Sequence, residues 1–161
     1  MKLTAQYVKN RINELCDKLV ADCRGEDVCV IGIKNKGAFV AQNVKAELEK
    51  MLNKPVLCGQ IAISNYRDDL GYPGKETKIY DTEIGFEVTG KTVVLCDDVI
   101  MTGRSVRAAL EALLEEGRPE KIKLFVVADK GIAFRQMPIH PDYTAVTLNL
   151  DEDDFIEIDF D

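Results

Sequence analysis

The 161-residue chain has no tryptophan and one histidine, His140. A lone imidazole rules out a histidine-rich metal centre, and it rules out a Ser-His-acid triad at any other histidine. The five cysteines, at positions 16, 23, 29, 58 and 96, are odd in number and show no Cys-x-x-Cys spacing. They read as reduced, mostly buried thiols rather than a disulfide framework or a zinc site. No run approaches the roughly twenty apolar residues that a membrane-spanning helix needs, and MKLTAQYVKNRINEL at the N-terminus lacks an apolar signal core. The expected setting is the cytoplasm. Low-complexity tracts, Pro-rich linkers and internal repeats are missing too, and the length suits one domain with a proper core.

A net basic charge is also lacking, since the formal charge is −7. The excess is local: LDEDDFIEIDFD, the last twelve residues, holds seven acids and no base, which leaves the body of the chain balanced. A basic patch on that body is therefore not excluded. Lys9, Asn10 and Arg11, with Lys18 and Arg24, are its candidates, although a solvated helix face accounts for them equally well. In the tail, Ile156, Ile158 and Phe160 alternate with Glu157, Asp159 and Asp161. That alternation predicts a half-buried acidic edge strand within about 150–161.

What the chain does have is a regular alternation of strand and helix patterns. Val8, Ile12, Leu15 and Leu19 line one helical face between about Thr4 and Cys23, and Gly25 ends it. VCVIGI, Val28 to Ile33, is a short apolar run of the sort buried on both faces of a sheet. Val40, Val44, Leu48 and Met51 predict a second helix closed by Pro55, and PVLCGQIAI returns to strand composition. A polar stretch from about 64 to 90 follows, with weak strand signals near Lys78–Ile79 and Phe86–Val88. Its length suggests a mobile lid, a hairpin excursion or a binding loop. TVVLC, a helix over about 102–116 and KIKLFVVA complete the pattern. The expectation is a single α/β domain with a mainly parallel twisted sheet flanked by helices, whose ligand site lies outside the carboxyl ends of the strands.

Asp97 and Asp98 stand at one such end, directly before Met101-Thr102-Gly103-Arg104-Ser105. Two adjacent carboxylates repel each other, and a pair of sugar hydroxyls, with Mg²⁺ nearby, would relieve that repulsion. The turn that follows opens a helix, where unbonded amides and the helix dipole favour an anion. A sugar diol on the acids and a phosphate on the turn together form a phosphoribosyl cradle. Gly32 to Gly37, GIKNKG, offers amides and Lys36 to a second anion. It is no P-loop, because no Lys-Ser/Thr pair follows Gly37. Arg67 carries a planar fork suited to phosphate oxygens, and Tyr66 a hydroxyl.

VVLCDDVIMTGRSVRAAL resembles the PRPP-binding motif of the type I phosphoribosyltransferases. GIKNKG is similar to that family's pyrophosphate loop and YRDDL to its mobile catalytic loop. DDVIMTGRSVRAAL with GRPEKIKLFVVADKG looks like the branch that joins uracil phosphoribosyltransferase activity to regulation of pyrimidine operons. The similarity runs from about Val28 to Asp142. It implies Mg²⁺-dependent transfer of phosphoribose from PRPP to a nucleobase, with uracil giving UMP and pyrophosphate, in a homodimer or larger homo-oligomer. Arg67, Asp97 and Asp98 would be catalytic. Asp97, Asp98, Met101, Thr102, Gly103, Arg104 and Ser105 would hold the ribose and 5′-phosphate. Lys34, Asn35, Lys36, Gly37, Tyr66 and Arg67 would hold the pyrophosphate, and Val99, Asp129 and Lys130 the base. Mg²⁺ would be bound mainly through PRPP, with Asp97 and Asp98 nearby and no direct protein ligand.

Relatives specific for 6-oxopurines carry an acid just before the Thr-Gly, where this chain has Met101. That favours a pyrimidine. In the regulatory branch, basic residues that face RNA come directly after the fourth strand, where this chain reads Asp129-Lys130-Gly131-Ile132-Ala133. Two alternatives stay open beside the uracil enzyme: a UMP- and PRPP-sensing, RNA-binding attenuation regulator with little turnover, and a purine-salvage transferase. His140, between Ile139 and Pro141, reads as a loop residue without a role.

Overall fold

In the computed structural model, residues 1–65, 78–148 and 156–160 are described. Along the chain they form β1 (Lys2–Leu3), α1 (Ala5–Asp22), β2 (Val28–Ile33), α2 (Lys36–Leu52), β3 (Cys58–Asn65), β4 (Lys78–Glu83), β5 (Thr92–Ile100), α3 (Arg104–Glu116), β6 (Lys121–Asp129), β7 (Tyr143–Thr147) and β8 (Glu157–Ile158). The two most apolar runs of the sequence, β2 and β5, lie side by side at the centre of the main sheet. They pair in parallel from Val28 opposite Thr92 to Gly32 opposite Cys96. Around them the strand order is β4-β3-β2-β5-β6-β7, and only β4 runs antiparallel to its neighbour.

The sheet is covered on both faces, and the two-residue period of the strands decides which side chain goes where. Val30, Val94, Cys96, Phe125 and Val127 pack beneath α1 and α2. Ile31, Val93, Leu95 and Val126 face α3. The helices present the stripes that the sequence predicts. Val8, Ile12, Leu15 and Leu19 of α1 and Val40, Val44 and Leu48 of α2 are buried, with Cys16 and Ala41 added to the two faces. Full burial of each large aliphatic side chain contributes about 1.5–3 kcal/mol. Thr4 caps α1 by accepting from the Tyr7 amide at 3.2 Å. All five cysteines are free thiols, and burial pushes those of Cys16 and Cys29 up to about 12. Among the described residues no helix is long and apolar enough to cross a membrane.

Four sequence expectations shift. The third run does not stop at Cys96: β5 continues through Asp97 and Asp98 to Ile100, which still pairs opposite Asp129. The acids therefore lie within the strand. The helix after them starts at Arg104, two residues later than its pattern suggested, because Gly103 takes up the turn at φ 91°. The long polar stretch is a hairpin excursion at its base, with Asn65 opposite Lys78 and Gln60 opposite Glu83. Phe86–Val88 is not a strand, although Val88 is buried against the α3 face. Of the described tail residues only Glu157 and Ile158 pair, in parallel with Lys2 and Leu3, in a separate two-stranded sheet. Its inward face is as expected, with Ile158 buried, Ile156 and Phe160 packed against the core, and the Phe160 ring stacked on Phe39 at 5.8 Å.

From β2 the chain winds outward to β3 on one side and, from β5, to β6 and β7 on the other. That reversal of direction leaves a crevice above the carboxyl ends of β2 and β5.

Candidate active site

Two adjoining cavities open at this crevice. The larger, about 570 Å³, is lined by Lys34, Asn35 and Lys36 on one wall and by Asp97, Asp98 and Val99 on the other, with Ile33, Ile63 and Ser105 completing it. The smaller, about 120 Å³, is enclosed by Met101, Thr102 and Gly103. Asp97, Val99 and Ser105 line both and form the ridge between them.

The wall of the larger cavity is shaped by glycines. A Cβ on Gly32 would lie 2.6 Å from the Gly37 carbonyl oxygen, and one on Gly37 would lie 2.7 Å from that of Cys96 and 3.2 Å from Asp97 Oδ1. GIKNKG thus lets the first turn of α2 rest directly on the end of β5, with Lys34, Asn35 and Lys36 forced outward between the two glycines. The Lys34–Asn35 peptide is cis. Asn35 and Lys36 are exposed, while Lys34 Nζ pairs with Glu83 Oε1 of β4 at 3.0 Å. Gln60 donates to the other oxygen of Glu83 at 2.5 Å, and this bond with the lysine's holds the Glu83 carboxyl below its usual range.

Asp97 is buried and Asp98 half-buried. The Asp98 amide donates to Asp97 Oδ1 at 2.8 Å. Burial, reinforced by the neighbouring Asp98 carboxyl, pushes Asp97 well above the ordinary carboxylate range. A group in that condition gains from hydroxyl donors or positive charge brought to it. Among the described residues no three His, Cys, Asp or Glu side chains lie close enough together to hold a metal ion by themselves.

The smaller cavity sits at the N-terminus of α3. The Thr102 hydroxyl accepts from the Arg104 amide at 3.2 Å, and the first-turn amides of a helix have no carbonyl one turn back to bond. The turn amides and the helix dipole suit an anion. Arg104 lines neither cavity, and its Nε donates to Gln136 Oε1 at 2.8 Å.

On the remaining side, Asp129 Oδ1 accepts from the Gly131 amide at 2.9 Å and from Arg135 Nη2 at 2.5 Å. Asp129, which the resemblance offers to a base, thus has its Oδ1 in a buried ion pair with Arg135. Lys130 Nζ lies 5.7 Å from the centre of the Phe134 ring. Val99 is half-buried and faces both cavities. The structure thus brings together Lys34 to Gly37 with Asp97, Asp98, Val99 and Met101 to Ser105, and it turns Arg104 and Asp129 toward the segment beyond β6. Tyr66 and Arg67 lie outside the described residues. Sequence reasoning missed Glu83, Arg135 and Gln136. Arg135 could have been signalled only by an isolated arginine just past a strand end, since a single helical turn over Ile132–Phe134 folds it back against Asp129.

The sequence profile of the phosphoribosyl transferase domain matches residues 3–161. The chain belongs to the phosphoribosyltransferase family. Proteins named "Bifunctional protein PyrR" are similar along nearly its whole length. The protein from Brevibacillus brevis is 34% identical over 94% of this chain and 84% of its own, and that from Roseiflexus sp. is 37% identical over 96% and 84%. The solved structure of the purine phosphoribosyltransferase from Pyrococcus horikoshii Ot3 has the same fold, with a TM-score of 0.76 at 24% identity over 98% of this chain and 91% of that one. A transferase of this family uses PRPP and a nucleobase, and the acid pair and turn that resemble its PRPP motif line the two cavities.

Proposed function

We propose that the protein transfers phosphoribose from PRPP to uracil, giving UMP and pyrophosphate. The observation that carries this reading is the pair of cavities divided by Asp97, Val99 and Ser105. A molecule with an anion at each end and a sugar diol between them fits that plan: the 5′-phosphate on the Thr102–Ser105 turn, the ribose hydroxyls on Asp97 and Asp98, and the diphosphate against Lys34 to Gly37. A base nitrogen displaces the diphosphate at the anomeric carbon, forming a C–N bond as the C–O bond breaks. No protein nucleophile is needed. The chain holds the two reactants in line, and Lys34, Lys36 and the turn amides oppose the charge that builds on the leaving group. Arg67, Tyr66 and the chain joining β3 to β4 would cover the reactants and exclude water.

Mg²⁺ fits the donor set, because a buried acid held above its usual range beside a second carboxyl welcomes a cation. Mg²⁺ would be carried mainly by PRPP, with Asp97 and Asp98 nearby, and it would offset the charge on the departing diphosphate. Uracil is favoured by Met101 in the place where 6-oxopurine enzymes carry an acid, and by the PyrR name of the relatives. Incubation with PRPP, Mg²⁺ and a panel of bases, followed by chromatography, tests the reading. UMP is expected. A nucleotide formed only from hypoxanthine or guanine would transfer the reading to purine salvage, and no nucleotide from any base would end it.

The word "bifunctional" in the relatives' name favours a second role, UMP-dependent binding of pyrimidine-operon leader RNA. Lys9 and Lys18 on the exposed side of α1 are available to such a partner, while Arg11 is engaged by Glu14 and the Ala145 carbonyl. Binding should weaken steeply with salt and respond to UMP; leader RNA that is not retained at low salt removes this role.

A further inference from the structure

The outer wall of the phosphate turn is built by a segment 34 residues further along the chain. Arg135 has a side chain only 3% exposed. Its guanidinium donates to the Met101 carbonyl from Nε at 3.0 Å, to Asp129 Oδ1 from Nη2 at 2.5 Å and to the Ile139 carbonyl from Nη1 at 2.5 Å, and Nη1 also lies 3.1 Å from His140 Nδ1. The next two backbone amides, of Gln136 and Met137, donate to the Thr102 carbonyl at 2.9 and 3.2 Å. Met101 and Thr102 carry the carbonyls that would repel a phosphate in this turn, and both are drawn outward.

In a trans peptide the C=O and the N–H of one unit point in opposite directions. Among the described residues the only cis bond is Lys34–Asn35. With the Met101 oxygen on Arg135 and the Thr102 oxygen on the 136–137 amides, the amides of Thr102 and Gly103 are turned the other way. That way lies the smaller cavity. Arg135 is not among the residues that line it, so any effect on a ligand there is indirect. Asp129 balances the buried guanidinium, which otherwise would be costly to hold away from water.

We propose that Arg135 is a positioning residue for the phosphoryl end of the substrate, fixing the peptide orientation that presents the Thr102 and Gly103 amides to the anion. This rests on the phosphoribosyl reading of the cleft. A lysine cannot replace it, because one ammonium does not span three acceptors arranged around a planar fork.

Calorimetric titration of ribose 5-phosphate and of inorganic diphosphate into the wild type, Arg135→Gln and Arg135→Lys, alongside thermal melts, separates this role from a structural one. Both variants should lose roughly tenfold or more in affinity for ribose 5-phosphate, the scale of a buried hydrogen-bonding group removed. Diphosphate, which takes the opposite wall, should bind within about twofold of wild type by the same reasoning. Ribose 5-phosphate bound unchanged by the folded variants overturns the proposal. Should neither variant fold, the wild type alone decides: ribose 5-phosphate must shift the Thr102 and Gly103 amide resonances while diphosphate leaves them in place, and amides that ignore ribose 5-phosphate overturn it equally. A wild type that binds neither ligand removes the phosphoribosyl reading itself, whereas tight wild-type binding matched by the variants removes only the role of Arg135.

Discussion

The two walls of the cleft to which the proposed function assigns anions are made in different ways. The Lys34–Gly37 wall is a local device: Gly32 and Gly37 let a helix rest on a strand, and Lys34, Asn35 and Lys36 between them line the larger cavity. The Thr102–Ser105 wall is a composite, in which the turn supplies amides and a distant segment takes away its carbonyls. One wall therefore depends on close packing of backbone, and the other on hydrogen bonds from a segment whose Arg135 lines neither cavity.

The sharpest way to break the contrast is Gly37→Val. Its side chain would drive into the Cys96 carbonyl and Asp97, backbone that cannot yield, so α2 must lift off β5. Overpacking of this kind costs about 1–3 kcal/mol, read from urea melts, and turnover should fall far more than stability because the diphosphate wall moves with the helix. Gly103→Ala should have a smaller, one-sided effect. At φ 91° an alanine is strained by about 1–3 kcal/mol, and its Cβ would press on Met137 at 3.3 Å. Ribose 5-phosphate affinity, measured by titration, should drop while that for diphosphate holds.

A pH series tests the ridge between the walls. Because Asp97 is held above its ordinary value of 3.8, the fold binds its proton more tightly than the unfolded chain does. Its contribution to stability is present at low pH and is lost as pH rises from about 3.8 through the higher folded value. Melting curves of Asp97→Asn should lack that fall, and a parallel slope in the variant and the wild type would refute the assignment. Sugar hydroxyls favour the ionised carboxyl, so ribose-phosphate binding should strengthen with pH over the same range. The smallest effect is expected for Glu83→Gln. Released from its exposed partner, Lys34 should bind inorganic diphosphate only about two- to threefold more tightly, in keeping with the modest worth of surface ion pairs.

Much of the fold was legible because it follows from periodicity. VCVIGI became β2 residue for residue, and the predicted stripes of α1 and α2 are their buried faces. The local wall and the turn at Thr102 were legible for a similar reason, since glycines and paired acids act on their immediate neighbours. Arg135 was not, because its meaning comes from Met101 and Asp129, which meet it only after β6 has been laid beside β5. The alternation in the tail signalled its inward face, but not its partner, because the Lys2–Leu3 strand that pairs with Glu157–Ile158 is too short to show a period of its own. The length of β5 was misjudged because acids signal a strand end when read alone, whereas register with β6 carries the strand past them.

The ridge of Asp97, Val99 and Ser105 has a practical consequence for anyone designing inhibitors. A linear bis-anion would have to bridge over it, losing contact with the acids, whereas two anionic arms mounted on a small hydroxylated ring can straddle it and seat both ends at once. Tethering through such a kinked core converts two weak fragments into one ligand by raising the local concentration of the second arm, and the ring, not the arms, sets the fit.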